Sequence, residues 1–306
     1  MRGRFLFPEI VQRICAPLPA SVKWTRRTLS LHGFRLFPLP MQDFSPFLHP
    51  ILPDADAVRT VLFPIDSLDK HPVEHPDAWL NASEQAEYQT SSNGKRKREW
   101  LSSRIALKAL LLRDGVIRRP LDVSIRKTPA GAPRLVIYEP DTLRYAEMAC
   151  SISHSGDYVI VSYATSRKIR IGIDIEHRTW RLMYLRRKFV APGDQMLDKN
   201  DKTGDATVLW TFKEALSKLL GVGWAAGFHS LVCREISPGF CELSDGMNGS
   251  YLGRYCWFGR YAISIVYEIP EKQPDRKPRP KRSLLERLQR IRQLSHLRKQ
   301  HTSNGS

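Results

Sequence analysis

The sequence predicts an α+β fold built from two like halves, with a site at the seam between them. Three observations carry this expectation. Short runs with period-two alternation are interleaved with a few long helical stretches. Trp100-Leu-Ser-Ser-Arg-Ile-Ala-Leu-Lys108 resembles Trp210-Thr-Phe-Lys-Glu-Ala-Leu-Ser-Lys218, and both place a lysine eight residues after the tryptophan. Gly156-Asp-Tyr-Val-Ile-Val is answered by Gly259-Arg-Tyr-Ala-Ile-Ser, 56 and 49 residues after the two tryptophans. Each half is then a helix followed by strands, and a pair of such halves places a cleft between them.

Residues 1–53 hold eight prolines and no sustained period, which reads as an extension with little regular structure. Ala57–Ile65 is the first strand. Asn81-Ala-Ser-Glu84 starts a helix, with Asn81 as cap and Glu84 at the third helical position. After the break at Ser92-Asn93-Gly94 a long helix is predicted over about 95–113. Its Leu101, Ile105, Leu107, Leu110, Leu111 and Leu112 form a wide apolar stripe that ends at Asp114-Gly115. VSIRKTPAGAPRLVIY is a hairpin turning at Pro129–Pro133. A strand over about 158–163 follows the polar lead-in Ser151–Gly156. In the next, Ile169–Glu176, isoleucines alternate with Arg170, Gly172, Asp174 and Glu176. Residues 180–189 read as helical. A second long helix runs from about Ala206 to Leu220, closed by Gly221. Arg260–Glu268 is the last strand, and residues 283–299 form a basic amphipathic helix. The expected units are an extension (1–53), a first half (54–165), a second half (166–271) and a tail (272–306).

A length of 306 residues suits one large domain or two ordinary ones. A composition 42% apolar and 26% charged excludes a disordered chain. No run approaches the roughly 18 apolar residues of a membrane-spanning helix. The start of the chain is a poor secretory signal, because Pro8 and Glu9 interrupt its apolar patch; an Arg-rich transit peptide stays open as an alternative. Five cysteines, an odd number with no C-x-x-C, argue against a disulfide framework or zinc ribbon and point to the cytoplasm. The net charge of +17 resides at the ends: residues 272–306 carry eleven basic and two acidic side chains, residues 1–53 seven and two. The body between them is nearly neutral, so its function need not be binding of nucleic acid.

Three clusters can carry chemistry. In Gly172-Ile-Asp174-Ile-Glu176 the two carboxylates project to one face of a strand, where they repel unless a hard divalent cation lies between them. Read blandly, this is a solvent-facing strand side. In Trp210-Thr-Phe-Lys213-Glu214-Ala-Leu-Ser-Lys218, Glu214 and Lys218 share a helix face. That is either one ordinary ion pair or a carboxylate and a phosphate-neutralising cation. Ser151-Ile-Ser153-His154-Ser155 offers hydroxyls and an imidazole, which suit a phosphate or a hydrophilic turn.

Taken in order, Ser-x-Ser-His, then Gly-x-Asp-x-Glu, then Trp-x-x-Lys-Glu-Ala-x-x-Lys resembles the 4′-phosphopantetheinyl transferases of the surfactin-synthetase-activator (Sfp) type, also called holo-acyl-carrier-protein synthases. The resemblance covers about residues 57–270 and includes the helix Arg98–Lys108 and the turn Gly131-Ala132-Pro133. It implies two pseudo-symmetric halves with the active site between them. It also implies transfer of the phosphopantetheine arm of coenzyme A to a serine of an apo carrier protein, acyl or peptidyl. By the same likeness Asp174, Glu176 and Glu214 would hold Mg²⁺, with Glu214 also the candidate base. Lys218 would lie on the attacked phosphate; Ser153, His154, Lys213, Arg98 and Arg104 would be further coenzyme A contacts. The family commonly has lysine where this chain has Ala132, and Arg134 or Lys127 is the candidate to compensate. A monomer is expected. The alternative class is a degenerate transferase scaffold that acts as a binding protein through its basic tail, on a carrier protein, nucleic acid or a membrane surface.

Overall fold

Two antiparallel sheets lie back to back in this computed structural model, each with one long helix on its outer face. The described residues are 29–31, 34–36, 40–48, 57–70, 76–90, 93–129, 131–139, 144–166, 169–195, 200–222, 227–246 and 249–268. The tail 272–306, with its expected basic helix, lies outside them, as does most of the extension. Among the described residues no helix is long and apolar enough to cross a membrane.

A two-stranded pair, β1 (Leu29–Leu31) and β2 (Phe34–Leu36), comes first. The first half then runs β3 (Gln42–Asp43), α1 (Ser45–Leu48), β4 (Val58–Pro64), α2 (Ser67–Lys70), α3 (Ala82–Thr90), α4 (Gly94–Arg113), β5 (Val123–Lys127), β6 (Pro133–Glu139), β7 (Arg144–Ser155) and β8 (Tyr158–Ala164). The second half runs β9 (Arg170–His177), α5 (Arg181–Phe189), α6 (Lys202–Leu220), β10 (Val232–Ser237), β11 (Phe240–Ser244), β12 (Ser250–Phe258) and β13 (Tyr261–Glu268). The strand orders are β3-β4-β8-β7-β6-β5 and β10-β11-β12-β13-β9. Read from β5, the first sheet repeats the order of the second, with β3 added at its edge.

Apolar burial explains the layering. One cluster packs Ile105, Leu107, Leu110 and Leu111 of α4 on Val61, Phe63, Val159 and Val161 of the first sheet. A second packs Leu209, Phe212 and Leu216 of α6 on Leu243, Ala262 and Val266 of the second sheet. A third lies between the sheets: Val58, Leu62 and Ile160 face Ile171, Ile173, Ile175, Ile263 and Ile265. The alternation in β9 therefore sends its isoleucines to the seam and its other face to α6.

The repeat is real in topology, but the helices align differently from the tryptophan–lysine match. Lys108 is fully buried and donates to Glu84 Oε2 and to the Trp79 carbonyl, both at 2.6 Å, while Glu84 Oε1 accepts from the Ile125 N–H of β5. In the second half it is Lys213 that donates to Asp194 Oδ2 and to the Phe189 carbonyl, while Asp194 Oδ1 accepts from the Cys233 N–H of β10. Gly115 and Gly221 close the two helices with the same pair of backbone bonds. Lys108 thus answers Lys213 rather than Lys218. The two candidates lie five residues apart, about 140° round the helix, so they face different surroundings.

Residues 40–48 also depart from the expected extension. β3 pairs with β4. Leu48 is buried, its carbonyl accepts from the Tyr267 hydroxyl at 2.7 Å, and Phe44 packs edge-on against Phe258. This segment bridges both sheets. Its elements are two and four residues long, too short for a period to show among the prolines.

Candidate active site

Gly172 decides how closely α6 approaches β9. A Cβ built there would lie 1.9 Å from the Ala215 carbonyl oxygen, so any other residue would push the helix away. Two residues on, Asp174 projects from the same face of β9 and meets the next turn of α6. Lys218 Nζ donates to Asp174 Oδ1 at 2.7 Å and to the Ile173 carbonyl at 3.1 Å. Glycine, aspartate and lysine act together: the small residue permits the approach that the ion pair then fixes.

The serines of Ser151–Ser155 belong to the long strand β7, not to a turn. Their hydroxyls join the two halves. The Ile173 N–H donates to Ser151 Oγ at 3.0 Å, Ser153 Oγ donates to Asp174 Oδ1 at 2.6 Å, and Ser155 Oγ donates to Glu176 Oε1 at 3.0 Å. Alternation puts these three on one side of β7. Ser153, expected to touch a phosphate, is here the residue that orients Asp174.

The acidic side chains share one electrostatic neighbourhood. Burial, then the charge of Asp174, pushes the Glu214 carboxyl up to about 7, with Lys218 opposing and Glu176 adding. Glu176 is likewise raised by burial and by Asp174. The Glu214 carboxylate has no hydrogen-bond partner among the described residues. In the observed rotamers no three His, Cys, Asp or Glu side chains among those residues come together closely enough to hold a metal ion. The donor set nevertheless fits a hard divalent cation in its chemistry: oxygens only, in excess of the local positive charge, with Glu176 and Glu214 raised by burial and by the charge of Asp174. Lys218 is the cation that meets this excess here.

His154 points away from the serines. Its Nδ1 lies 3.6 Å from Glu99 Oε2, and the protein around the ring holds its pKa below the ordinary value. Asn93, Lys95, Arg96 and Glu99 from the start of α4 line the recess beside it. A second cavity, of about 250 Å³, opens where the β5–β6 turn meets the end of α6; Ala132, Arg134, Cys150, Arg170 and Lys218 are among its walls.

Two expected ligand contacts are corrected. Lys213 is fully buried and consumed by Asp194 and by the carbonyls of Phe189 and Phe228, on the side of α6 turned from the cleft. Arg104 is buried as well. Its guanidinium stacks on Trp100 with the charge 3.4 Å from the ring centroid, pairs with Glu87 at 3.3 Å, and burial pulls its pKa down to about 10. Arg98 is exposed on α4 and lines neither cavity. Lys127 pairs with Glu87, whereas Arg134 borders the cavity beside the β5–β6 turn. Sequence reasoning passed over Glu99, which lies inside the basic run Lys95–Arg98 and looks there like a surface charge. Its burial beneath His154 is a tertiary fact.

Residues 170–266 match the family described as the 4′-phosphopantetheinyl transferase superfamily. That segment holds β9, α5, α6 and β10–β13 almost entirely, and with them Asp174, Glu176, Glu214 and Lys218. No curated protein matches the chain. Among solved structures the holo-ACP-synthase from Plasmodium yoelii matches with 19% identity over 35% of this chain and 91% of that one, at a TM-score of 0.30.

Proposed function

We propose that this chain is a phosphopantetheinyl transferase of the single-chain, two-half type, which moves the 4′-phosphopantetheine arm of coenzyme A onto a serine of an apo carrier protein. The observation that carries the reading is the set Asp174, Glu176, Glu214 and Lys218, gathered on facing surfaces of β9 and α6 within the segment that matches the superfamily.

Attack on a pyrophosphate asks for positioning and charge neutralisation more than for covalent chemistry. Asp174, Glu176 and Glu214 are the residues that would hold a magnesium ion, which when bound supplies positive charge against the pyrophosphate. Ser153 and Ser155 keep two of those carboxylates oriented. Lys218 stands beside them with its side chain one-quarter exposed, able to meet a phosphate oxygen as well as Asp174. Glu214, its pKa raised towards neutrality, takes the proton of the carrier serine as that hydroxyl attacks the phosphorus bearing the arm. The bond from this phosphorus to the anhydride oxygen breaks, and adenosine 3′,5′-bisphosphate leaves. His154 and the basic start of α4 offer a second anion site on the other side of β7.

The test is mass spectrometry of apo carrier proteins of fatty-acid, polyketide and peptide-synthetase type after incubation with the protein, coenzyme A and MgCl₂. The expected result is gain of the arm's mass on at least one carrier. No gain on any of them overturns the reading.

A further inference from the structure

One turn of the first half is gripped by a side chain of the second. Gly156-Asp157 joins β7 to β8, with Ser155 and Tyr158 paired on either side of it. Tyr261, buried at the start of β13, reaches this turn. Its hydroxyl donates to Asp157 Oδ2 at 3.2 Å and accepts from the Asp157 N–H at 3.4 Å. From the first half, the Ile65 N–H donates to the Asp157 carbonyl at 2.8 Å. Gly156 has φ +55°, and a Cβ built on it would lie 2.5 Å from the Tyr261 oxygen, so glycine is what lets the hydroxyl seat here.

The internal repeat does not account for this grip. Gly156-Asp-Tyr is answered by Gly259-Arg-Tyr, and Gly259 also has a positive φ, +56°. Yet nothing lies within 4 Å of a Cβ at Gly259. The gripped turn is the one beside the carboxylates. Ser155, next to Gly156, donates to Glu176 Oε1 at 3.0 Å and accepts from the His177 N–H at 3.1 Å. Tyr261 is the register partner of His177 on β9, and its ring meets that imidazole edge-on with centroids 5.0 Å apart. A closed circuit therefore runs from Tyr261 through the turn to Ser155, on to Glu176 and His177, and back to Tyr261. Asp174 has two side-chain holders, Ser153 and Lys218, whereas among the described residues Ser155 is the only side chain bonded to Glu176.

Resting on the transferase reading, in which Glu176 helps to hold Mg²⁺, we propose that Tyr261 is a positioning residue for that site: its hydroxyl fixes the Gly156-Asp157 turn, and through it Ser155 and the Glu176 carboxylate. The test reads Mg²⁺ binding as the rise in melting temperature over a MgCl₂ titration, beside the MgCl₂ that gives half-maximal carrier modification. Tyr261→Phe keeps the ring against His177 and removes the hydroxyl. A lower melting temperature in chelator is the plain loss of two hydrogen bonds. The Mg²⁺ midpoint is what a merely structural role would leave in place. In Tyr261→Phe both Mg²⁺ midpoints should rise roughly fivefold, and in Ser155→Ala roughly tenfold or more, the size of loss that follows when a metal ligand loses its partner. Added to Ser155→Ala, Tyr261→Phe should shift them by less than about twofold more, because its effect passes through that serine. Asp157→Ala, a change at an exposed position, should shift them in the same direction by a smaller factor.

An unchanged Mg²⁺ midpoint in Tyr261→Phe overturns the assignment, as does a double variant whose shift is the product of the two single ones. Wild-type protein that responds to Mg²⁺ and modifies a carrier, with Tyr261→Phe doing both at the same MgCl₂, rejects Tyr261 alone. Wild-type protein that does neither rejects the transferase reading and this role with it.

Discussion

Lys218 of α6 and Asp174 of β9 are joined at 2.7 Å across the contact that brings the helix onto the strand. Asp174 is almost fully buried whereas Lys218 keeps a quarter of its side chain exposed. The aspartate is thus held by Ser153 and Lys218 together, while the lysine retains donors for a ligand. Asp174→Ala is expected to lower carrier modification at least about a hundredfold, since charge clamps of this kind contribute several kcal/mol to a transition state. The far-ultraviolet circular dichroism should stay native. Transfer within tenfold of wild type would remove Asp174 from the chemistry.

Gly172→Ala tests the approach of α6 to β9. The new methyl group would meet the Ala215 carbonyl at 1.9 Å, a backbone atom that cannot swing aside. Overpacking of this sort costs about 1–3 kcal/mol, read as a lower urea midpoint, and activity should fall with it because Glu214 and Lys218 ride on the displaced helix. Gly94→Ala is the control: nothing lies within 4 Å of a Cβ there, and the midpoint should stay or rise.

Period-two and helical patterns made most of this architecture readable. Isoleucines at every second position of β9 announce a strand with a buried face, and Asn81 with Glu84 forms the reciprocal cap its spacing predicts. Asp174, Glu176, Glu214 and Lys218 stand out as candidates in the sequence because glycine, acid and helical spacing all sit in short motifs; among the described residues Lys218 pairs with Asp174, while no three acidic side chains converge closely enough for a metal ion. Lys213 and Arg104 were not legible. A lysine beside Glu214 looks equally able to face a ligand or the core, and only the position of Asp194, nineteen residues upstream, decides it. The short segment at 40–48 escaped for want of length, not of hydrophobicity.

Lys213→Ala should be among the most damaging single changes outside the cleft. It leaves Asp194, 2% exposed, as an uncompensated buried charge, a defect of about 3–5 kcal/mol. Lys213→Met with Asp194→Asn removes both charges and keeps an acceptor for the Cys233 N–H but not for the Ala191 N–H, so the double variant should regain only part of that loss. A midpoint for Lys213→Ala equal to that of wild type would show that the pair contributes nothing.

His154 gives the protein an acid-sensitive contribution. Its folded pKa lies below the ordinary histidine value, through the protein packed around it and Lys218 and Lys95 nearby, against the opposing charges of Glu99 and Asp174. Between the two pKa values the unfolded chain binds more protons, so stability falls as pH drops from neutrality through this window. In His154→Gln the fall should be shallower. Urea midpoints at about pH 7.5 and about pH 5.5 measure it, and equal slopes for both proteins would exclude His154 as the source.

Glu214 and Glu176 carry raised pKa values, through burial first and then through the charge of Asp174, which Lys218 only partly offsets. A cation that lowers this repulsion binds the folded chain and not the unfolded one, and stabilises it by mass action. Millimolar MgCl₂ should therefore raise the melting temperature of the wild type, chelation should reverse the rise, and Ca²⁺ should stabilise while supporting less transfer, since Mg²⁺ holds the tighter octahedral geometry. Glu214→Gln removes one of the repelling charges. It should melt higher than wild type in chelator, gain less from Mg²⁺, and lose transfer at least about a hundredfold. A melting temperature that ignores Mg²⁺ in the wild type, or that rises equally in both proteins, would mean that these carboxylates do not form a cation site.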